Sequence, residues 1–174
     1  MNIQVLIPDK NAPSCRFRVL QYLEPLREFG INLEVVELSR QKAKRRLVLD
    51  ASAGFDAVLL HRKLLNRFDY ARLRRRARKL IYDHDDAVMF RDSNASRMDS
   101  RMRRRKWERL VSGADLVIAG NNYLADLASA YNREVAIIPT VINLDHYTGE
   151  PSRSTGLVIG WMGTSSNFIY LSQI

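Results

Sequence analysis

Six short strand-like runs, each closed by polar or turn-forming residues, constrain what this chain can become. They are IQVLIP (Ile3 to Pro8), INLEVVEL (Ile31 to Leu38), AVLL within FDAVLLHR (Ala57 to Leu60), LIYD (Leu80 to Asp83), ADLVIAG (Ala114 to Gly120) and VAIIPT (Val135 to Thr140). Only INLEVVEL alternates; the others are apolar almost throughout. A strand that is apolar on both sides must be buried on both sides, which is the condition of a parallel sheet covered by helices. The intervening stretches have helical spacing. Val19, Leu20, Tyr22, Leu23, Leu26 and Phe29 recur on one helical stripe that Gly30 closes, with Pro25 predicting a kink. Leu64 to Lys79 predicts an Arg- and Leu-rich helix, RMRRRKWERLVSG a helix closed by Gly113, and Asn121 or Asn122 caps the helix YLADLASAY. The expected fold is therefore α/β, a Rossmann-like parallel sheet with helices on both faces. The polar FRDSNASRMDS, Phe90 to Ser100, reads as a loop.

In such a sheet the functional groups collect beyond the carboxyl ends of the strands. Pro8 to Arg18, His61-Arg62, Asp83 to Asp86, Gly120-Asn121-Asn122 and Pro139-Thr140 all follow strands, so they are expected on one rim. The acidic group DHDD stands out in a strongly basic chain. Asp83, Asp85 and Asp86 repel one another unless cations offset them, and Arg16, Arg18 and Arg62 are the nearest expected partners. Alternation along an extended chain brings Asp83 and Asp85 to one side and sends His84 to the other. Three readings of DHDD stand side by side: a capped turn paired with arginines, carboxylates that accept sugar hydroxyls or take part in catalysis, and a divalent-cation site. His61 is either a cleft residue or a hydrogen-bonded packing residue. Trp107, at core spacing on its helix, reads as packing.

The chain has 174 residues and a net charge of +9, from 28 Lys and Arg against 19 Asp and Glu. The excess gathers in KAKRR (Lys42 to Arg46), RLRRRARK (Arg72 to Lys79) and RMRRRK (Arg101 to Lys106). Such runs attract anionic lipid, phosphorylated sugars or nucleic acid, or they are simply solvated helix faces. Aromatics merely flank them, which ranks specific nucleic-acid binding low. Cys15 is the single cysteine, so no intrachain disulfide is available and a cytoplasmic setting is expected. The N-terminal MNIQVLIPDK lacks the charged lead of a signal peptide, and no apolar window approaches the roughly 20 residues of a membrane span. Any membrane contact is expected to be peripheral. At the other end, residues 142–156 have the composition of a linker, and LVIGWMG reopens with a strand. The expected division is a domain over 1–141, a hinge over 142–156, and the start of a truncated second domain over 157–174.

The order of APSCRFRVLQYLEPLREFGI, FDAVLLHR, LIYDHDDAVMF, GADLVIAGNNYLAD, IIPTVINLDHY and LVIGWMGTSSNFIYL resembles the amino-terminal half of a family 4 glycosyltransferase with the GT-B architecture. That resemblance implies two facing Rossmann-like domains, the first gripping the acceptor and the second a nucleotide-sugar donor. It implies Asp83, Asp85 and His61 as catalytic candidates, and Arg16, Arg18, Arg62, Asp86, Asn121 and Thr140 as acceptor-binding ones. Gly163 and Thr164 would meet the donor, with His146 in the hinge. It further implies hexosyl transfer with retention, no metal or other cofactor, and a lipid-linked or cell-envelope acceptor at the inner membrane face. The chain departs from the family pattern in three ways. The family's paired-glutamate signature lies deep in the second domain, which these 174 residues stop short of; His84 stands where an aliphatic residue is usual, and Arg16 and Arg18 stand where other branches place a glycine pair in the first loop. Phosphate recognition by guanidinium would fit that last change. Two other classes compete: a Mg²⁺-dependent phosphatase, from Asp83-x-Asp85 after an apolar strand, and a non-catalytic basic module that docks on membrane or nucleic acid.

Overall fold

The computed structural model describes residues 1–92, 95–144, 149, 156–161 and 171. The six expected strands all form: β1 (Asn2–Ile7), β2 (Asn32–Glu37), β3 (Ala57–His61), β4 (Leu80–His84), β5 (Leu116–Ala119) and β6 (Val135–Ile137). All pair in parallel, in the order β2-β1-β3-β4-β5-β6. The fold is Rossmann-like α/β. Strand order reverses between β1 and β3, which puts the crevice of such a sheet outside their carboxyl ends.

Two short helices, α1 (Pro13–Arg18) and α2 (Leu23–Glu28), follow β1. A single kinked helix was the expectation here. Instead the chain breaks at Val19, whose φ of −127° is not helical, and a 3-10 turn at Leu20–Tyr22 restarts it. Pro25 then falls in the first turn of α2, where its missing N–H would have had no partner anyway. Further along the chain lie α3 (Lys42–Ala51), α4 (Arg67–Arg76), α5 (Arg101–Gly113) and α6 (Asn122–Ser129). α4 is shorter than Leu64 to Lys79, because the Asn66 side chain accepts from the Phe68 and Asp69 amides and sets its start. Asn121 caps α6 in the same way, its Oδ1 accepting from Leu124 N at 2.9 Å. Asn121→Ala should cost about 1 kcal/mol, read from thermal unfolding by circular dichroism.

Helices lie on both faces, but unevenly. Leu49, Leu73, Trp107, Leu110, Val111, Leu124 and Ala128 bring α3 to α6 onto the face that holds Leu6, Val58, Leu60, Tyr82 and Val117. The opposite face holds Ile3, Val5, Ile7 and Ala57, packed by Cys15 and Val19 of the α1 region. Right-handed crossovers explain this: one connection runs leftward to β2, and the four others run rightward across the sheet. On the lightly covered face Ile81, Leu116 and Ile118 stay only half-buried. Trp107 is buried as expected, stacked edge-on to His84 and Tyr131.

Candidate functional site

The carboxyl edge of the sheet brings together the ends of β1, β3, β4, β5 and β6, and most of the expected residues meet there. At its centre is a buried cluster. Asp83, next to last in β4, faces the α1 side, where Arg18 reaches it: Nε lies 3.2 and 3.1 Å from the two carboxylate oxygens, and Nη2 also donates to Oδ1. His61 Nδ1, from the end of β3, lies 2.6 Å from Asp83 Oδ2. The side chains are 3% (Arg18), 4% (Asp83) and 0% (His61) exposed, so the charges are mutually neutralised away from water. Burial alone would push the Asp83 carboxyl up; hydrogen bonds from His61 and Arg18 outweigh it and hold the group below its ordinary value. Burial likewise pulls Arg18 down, and Asp83 more than restores it.

A carboxylate only accepts, so His61 donates to it through Nδ1–H, and Nε2 is the ring nitrogen turned away from that contact. That Nε2 is buried without a hydrogen-bond partner among the described residues. Asp83, with both oxygens engaged by the protein, orients its neighbours and has little left to offer a ligand. Arg18 extends the cluster outward. Its Nη1 donates to Ile138 O at 2.8 Å and to Thr140 Oγ1 at 3.2 Å, and Gln21 Nε2 donates to Val141 O at 2.9 Å. The segment leaving β6 is thereby strapped over the α1 region.

Arg62 organises the second, more accessible group. It has a φ of 56°, the one positive value at a non-glycine residue among those described. Such a conformation carries strain for a side-chain-bearing residue and is held by its surroundings. Its guanidinium donates to Ser14 Oγ at 2.6 Å, across the crevice between β1 and β3, and to Asp86 Oδ2. Its Nε lies 3.4 Å from Asp85 Oδ1, near enough for ion pairing but outside hydrogen-bond geometry. Asp86 is 63% exposed at its side chain and Asp85 16%, with Asp85 Oδ1 itself buried, so Asp86 is the carboxylate of the three most open to a ligand. A cleft of about 1040 Å³ opens beside them, lined by Arg62, Asp86, Phe90, Arg91, Arg103 and Tyr123 among others.

The expectation that Asp83 and Asp85 lie apart from His84 holds in the geometry. His84 is buried on the other face, its ring 5.3 Å from Tyr82 and 6.0 Å from Trp107. Burial lowers its pKa, so it is neutral near pH 7. Arg16 is not drawn into the cluster. It is exposed, with its guanidinium 5.4 Å from the Phe17 ring centroid, and it pairs with none of the three aspartates. On a helix, positions 16 and 18 diverge, so only one can face the sheet. Gly163, Thr164 and His146 lie outside the described residues. Burial raises the Cys15 thiol pKa, as befits a packing residue. Among the described residues no group of three or more His, Cys, Asp or Glu is placed to hold a metal ion.

Ser14 and Gln21 were not singled out in the sequence. Ser14 follows Pro13 at the start of α1, the kind of helix entry where a hydroxyl meets a ligand or partner, and that was the available signal.

No protein-family model matches the chain, and no curated protein matches it significantly.

Proposed function

We propose that this chain is the acceptor-side domain of a sugar transferase of GT-B architecture, using an activated nucleotide sugar held by a second domain. The observation that carries the proposal is the gathering of Arg18, His61, Arg62, Asp83, Asp85, Asp86, Asn121 and Thr140 along one carboxyl edge, which includes the β1–β3 crevice where strand order reverses. The motif order described above agrees with it.

Transfer to a hydroxyl needs the acceptor oriented, its proton accepted and the departing diphosphate stabilised. Asp86 suits the first task, since an exposed carboxylate accepts hydrogen bonds from adjacent sugar hydroxyls, and Asp85 beside it takes the proton of the attacking hydroxyl. Asp83 and His61 support them from below as positioning residues: the pair fixes the end of β3 and with it the strained Arg62 that aims both acids. Diphosphate stabilisation falls to the second domain in this reading. The phosphatase alternative loses ground because Asp83 is committed to Arg18 and His61, so Asp83 and Asp85 do not present a shared free pair of oxygens.

The test is transfer of labelled sugar from a panel of nucleotide sugars to pyranoside and lipid-linked acceptors. The 174-residue chain alone should bind acceptor and show little or no turnover, and turnover should appear when a donor-binding domain is joined to it. Appreciable transfer by the chain alone contradicts the division of labour. Rapid Mg²⁺-dependent release of phosphate from a phosphoester would replace the reading altogether.

A further inference from the structure

The carboxyl edge holds a second cleft that the candidate site does not use. It has a volume of about 260 Å³ and lies where the β2–α3 connection, the β3–α4 connection and α5 meet. Four cations line it, Arg40, Arg45, Lys63 and Lys106, against the single carboxylate of Asp69. They come from four separate parts of the chain, so the fold gathers them rather than any one basic run. The turn at Arg62 divides this cleft from the first one, with Arg62 lining one and Lys63 the other.

Asp69 is already engaged. Arg45 Nε donates to its Oδ2 at 2.8 Å and Asn66 Nδ2 donates to the same oxygen at 2.6 Å, with the carboxylate side chain 8% exposed. Arg45 is fixed in turn, its Nη1 donating to Ser39 O at 3.0 Å and to Arg40 O at 2.9 Å. A pair tied down this way neutralises itself and holds the wall of the cleft in place. Arg40, Lys63 and Lys106 are left over. Among the described residues none of the three pairs with a carboxylate, and both lysines are half-buried. Like charges brought together in so small a space repel one another, and an anion between them removes that repulsion.

We infer that this cleft binds the phosphoryl group of a small soluble compound, gripped by Arg40, Lys63 and Lys106. A phosphoryl group carries close to two negative charges at neutral pH and three strong acceptor oxygens, which matches three cations arriving from different directions. A carboxylate brings one charge and leaves the others unmatched. Lysine suits the task as a compact point charge, and arginine as a fork of donors. The volume equals that of about nine liquid waters at ~30 Å³ apiece, enough for pyrophosphate and too little for a polynucleotide. No aromatic side chain lines the cleft to stack a base. Its apolar residues, Leu64 and Leu65, are half-buried and buried, so neither projects as a bilayer anchor would. The inference stands apart from the transferase reading, since the anion occupies a different space from the acceptor and needs no sugar.

The experiment is calorimetric titration of the full chain with sodium pyrophosphate at constant ionic strength. Binding should saturate at one anion per chain, roughly tenfold or more tighter than acetate under the same conditions. Lys63→Gln with Lys106→Gln should weaken it about twentyfold. Arg40→Gln, at an exposed position that folding does not depend on, should weaken it about fourfold and keeps the test alive if the double variant does not fold. The control is Arg46→Gln with Arg75→Gln, which removes the same charge from exposed positions outside the cleft and should stay within about twofold of wild type. Equal losses in the two double variants mean that diffuse charge attracts the anion, and they overturn the inference. So does the lack of saturable binding. Amide shifts with pyrophosphate should fall at Arg40, Leu65 and Lys106; shifts at Asp86, Phe90 and Tyr123 instead would place the anion in the other cleft and end the proposal. Binding to phosphatidylglycerol vesicles without any to pyrophosphate would make a bilayer the ligand and likewise overturn it. Acceptor binding is read separately with a pyranoside, so each reading fails on its own result.

Discussion

Asp83→Ala should lower the stability of the chain by about 3–5 kcal/mol, measured by urea unfolding, the largest single-residue effect we expect. The reason is the company Asp83 keeps. Removing it strands the Arg18 guanidinium, 3% exposed at its side chain, without the carboxylate that justifies its charge there. Water cannot replace the lost partner at such depth. It also frees His61 Nδ1 and loosens the strap that Arg18 makes to Ile138 and Thr140. Asp83→Asn should lose most of the same energy, because shape is kept and charge is not. Replacing both partners with apolar residues, Arg18→Met with Asp83→Leu, should recover much of it. A double substitution as unstable as the sum of the singles contradicts the ion-pair account.

The pH profile gives an independent check. Asp83 in the folded chain titrates below its ordinary value of 3.8. The unfolded chain therefore takes up that proton first, and the stabilisation is fully present above about pH 4 and lost as pH falls through the lower folded value. His84 acts with the same sign at higher pH, since burial depresses its folded pKa below 6.5 and acid favours the unfolded, protonated form. Wild type should therefore lose stability in two stages on acidification. Asp83→Ala should keep the first stage and diminish the second, of which Asp50, also held low by Arg72, supplies a remainder.

Gly120→Ala should cost roughly 3 kcal/mol and displace the acidic loop. Gly120 closes β5 against the backbone that leaves β4, with its N–H donating to His84 O at 3.0 Å. A Cβ there would stand 2.8 Å from Asp85 Cα and 3.1 Å from Asp85 Cβ, and backbone atoms have no rotamer to escape into. Either the β5 end or the Asp85-Asp86 loop must move. The expected result is a lower denaturation midpoint together with shifted amide resonances at residues 84–87. Gly113 makes a useful contrast. Its added Cβ would meet the tip of the Tyr70 side chain, which can swing aside, so Gly113→Ala should cost less.

The strands were legible because each is a short apolar run between polar stretches, and that pattern specifies burial on both faces without any reference to neighbours. The shared rim followed from the parallel topology alone. Helix limits were less legible. Val19 looked like one more stripe residue, whereas its packing beneath α1 takes it out of helical geometry. The burial of Asp83 was hidden for a different reason. Its partners Arg18 and His61 lie 65 and 22 residues away, and nothing local marks an aspartate that will be neutralised from that distance. Arg16 and Arg18 read alike in sequence; only the docking of α1 decides which of them faces the sheet. The uneven clothing of the two faces was likewise set by crossover hand, not by any residue type.

The central claim is that ligand chemistry belongs to the carboxyl edge of this sheet. Amide chemical-shift mapping during titration with a pyranoside acceptor tests it most directly. The account predicts perturbations at Ser14, Arg62, Asp85, Asp86, Asn121 and Tyr123, with no change at Gly30, Gly54, Lys79 or Gly113, which precede the strands. Shifts confined to that amino edge, or spread over the outer surfaces of α3 and α4, would contradict it.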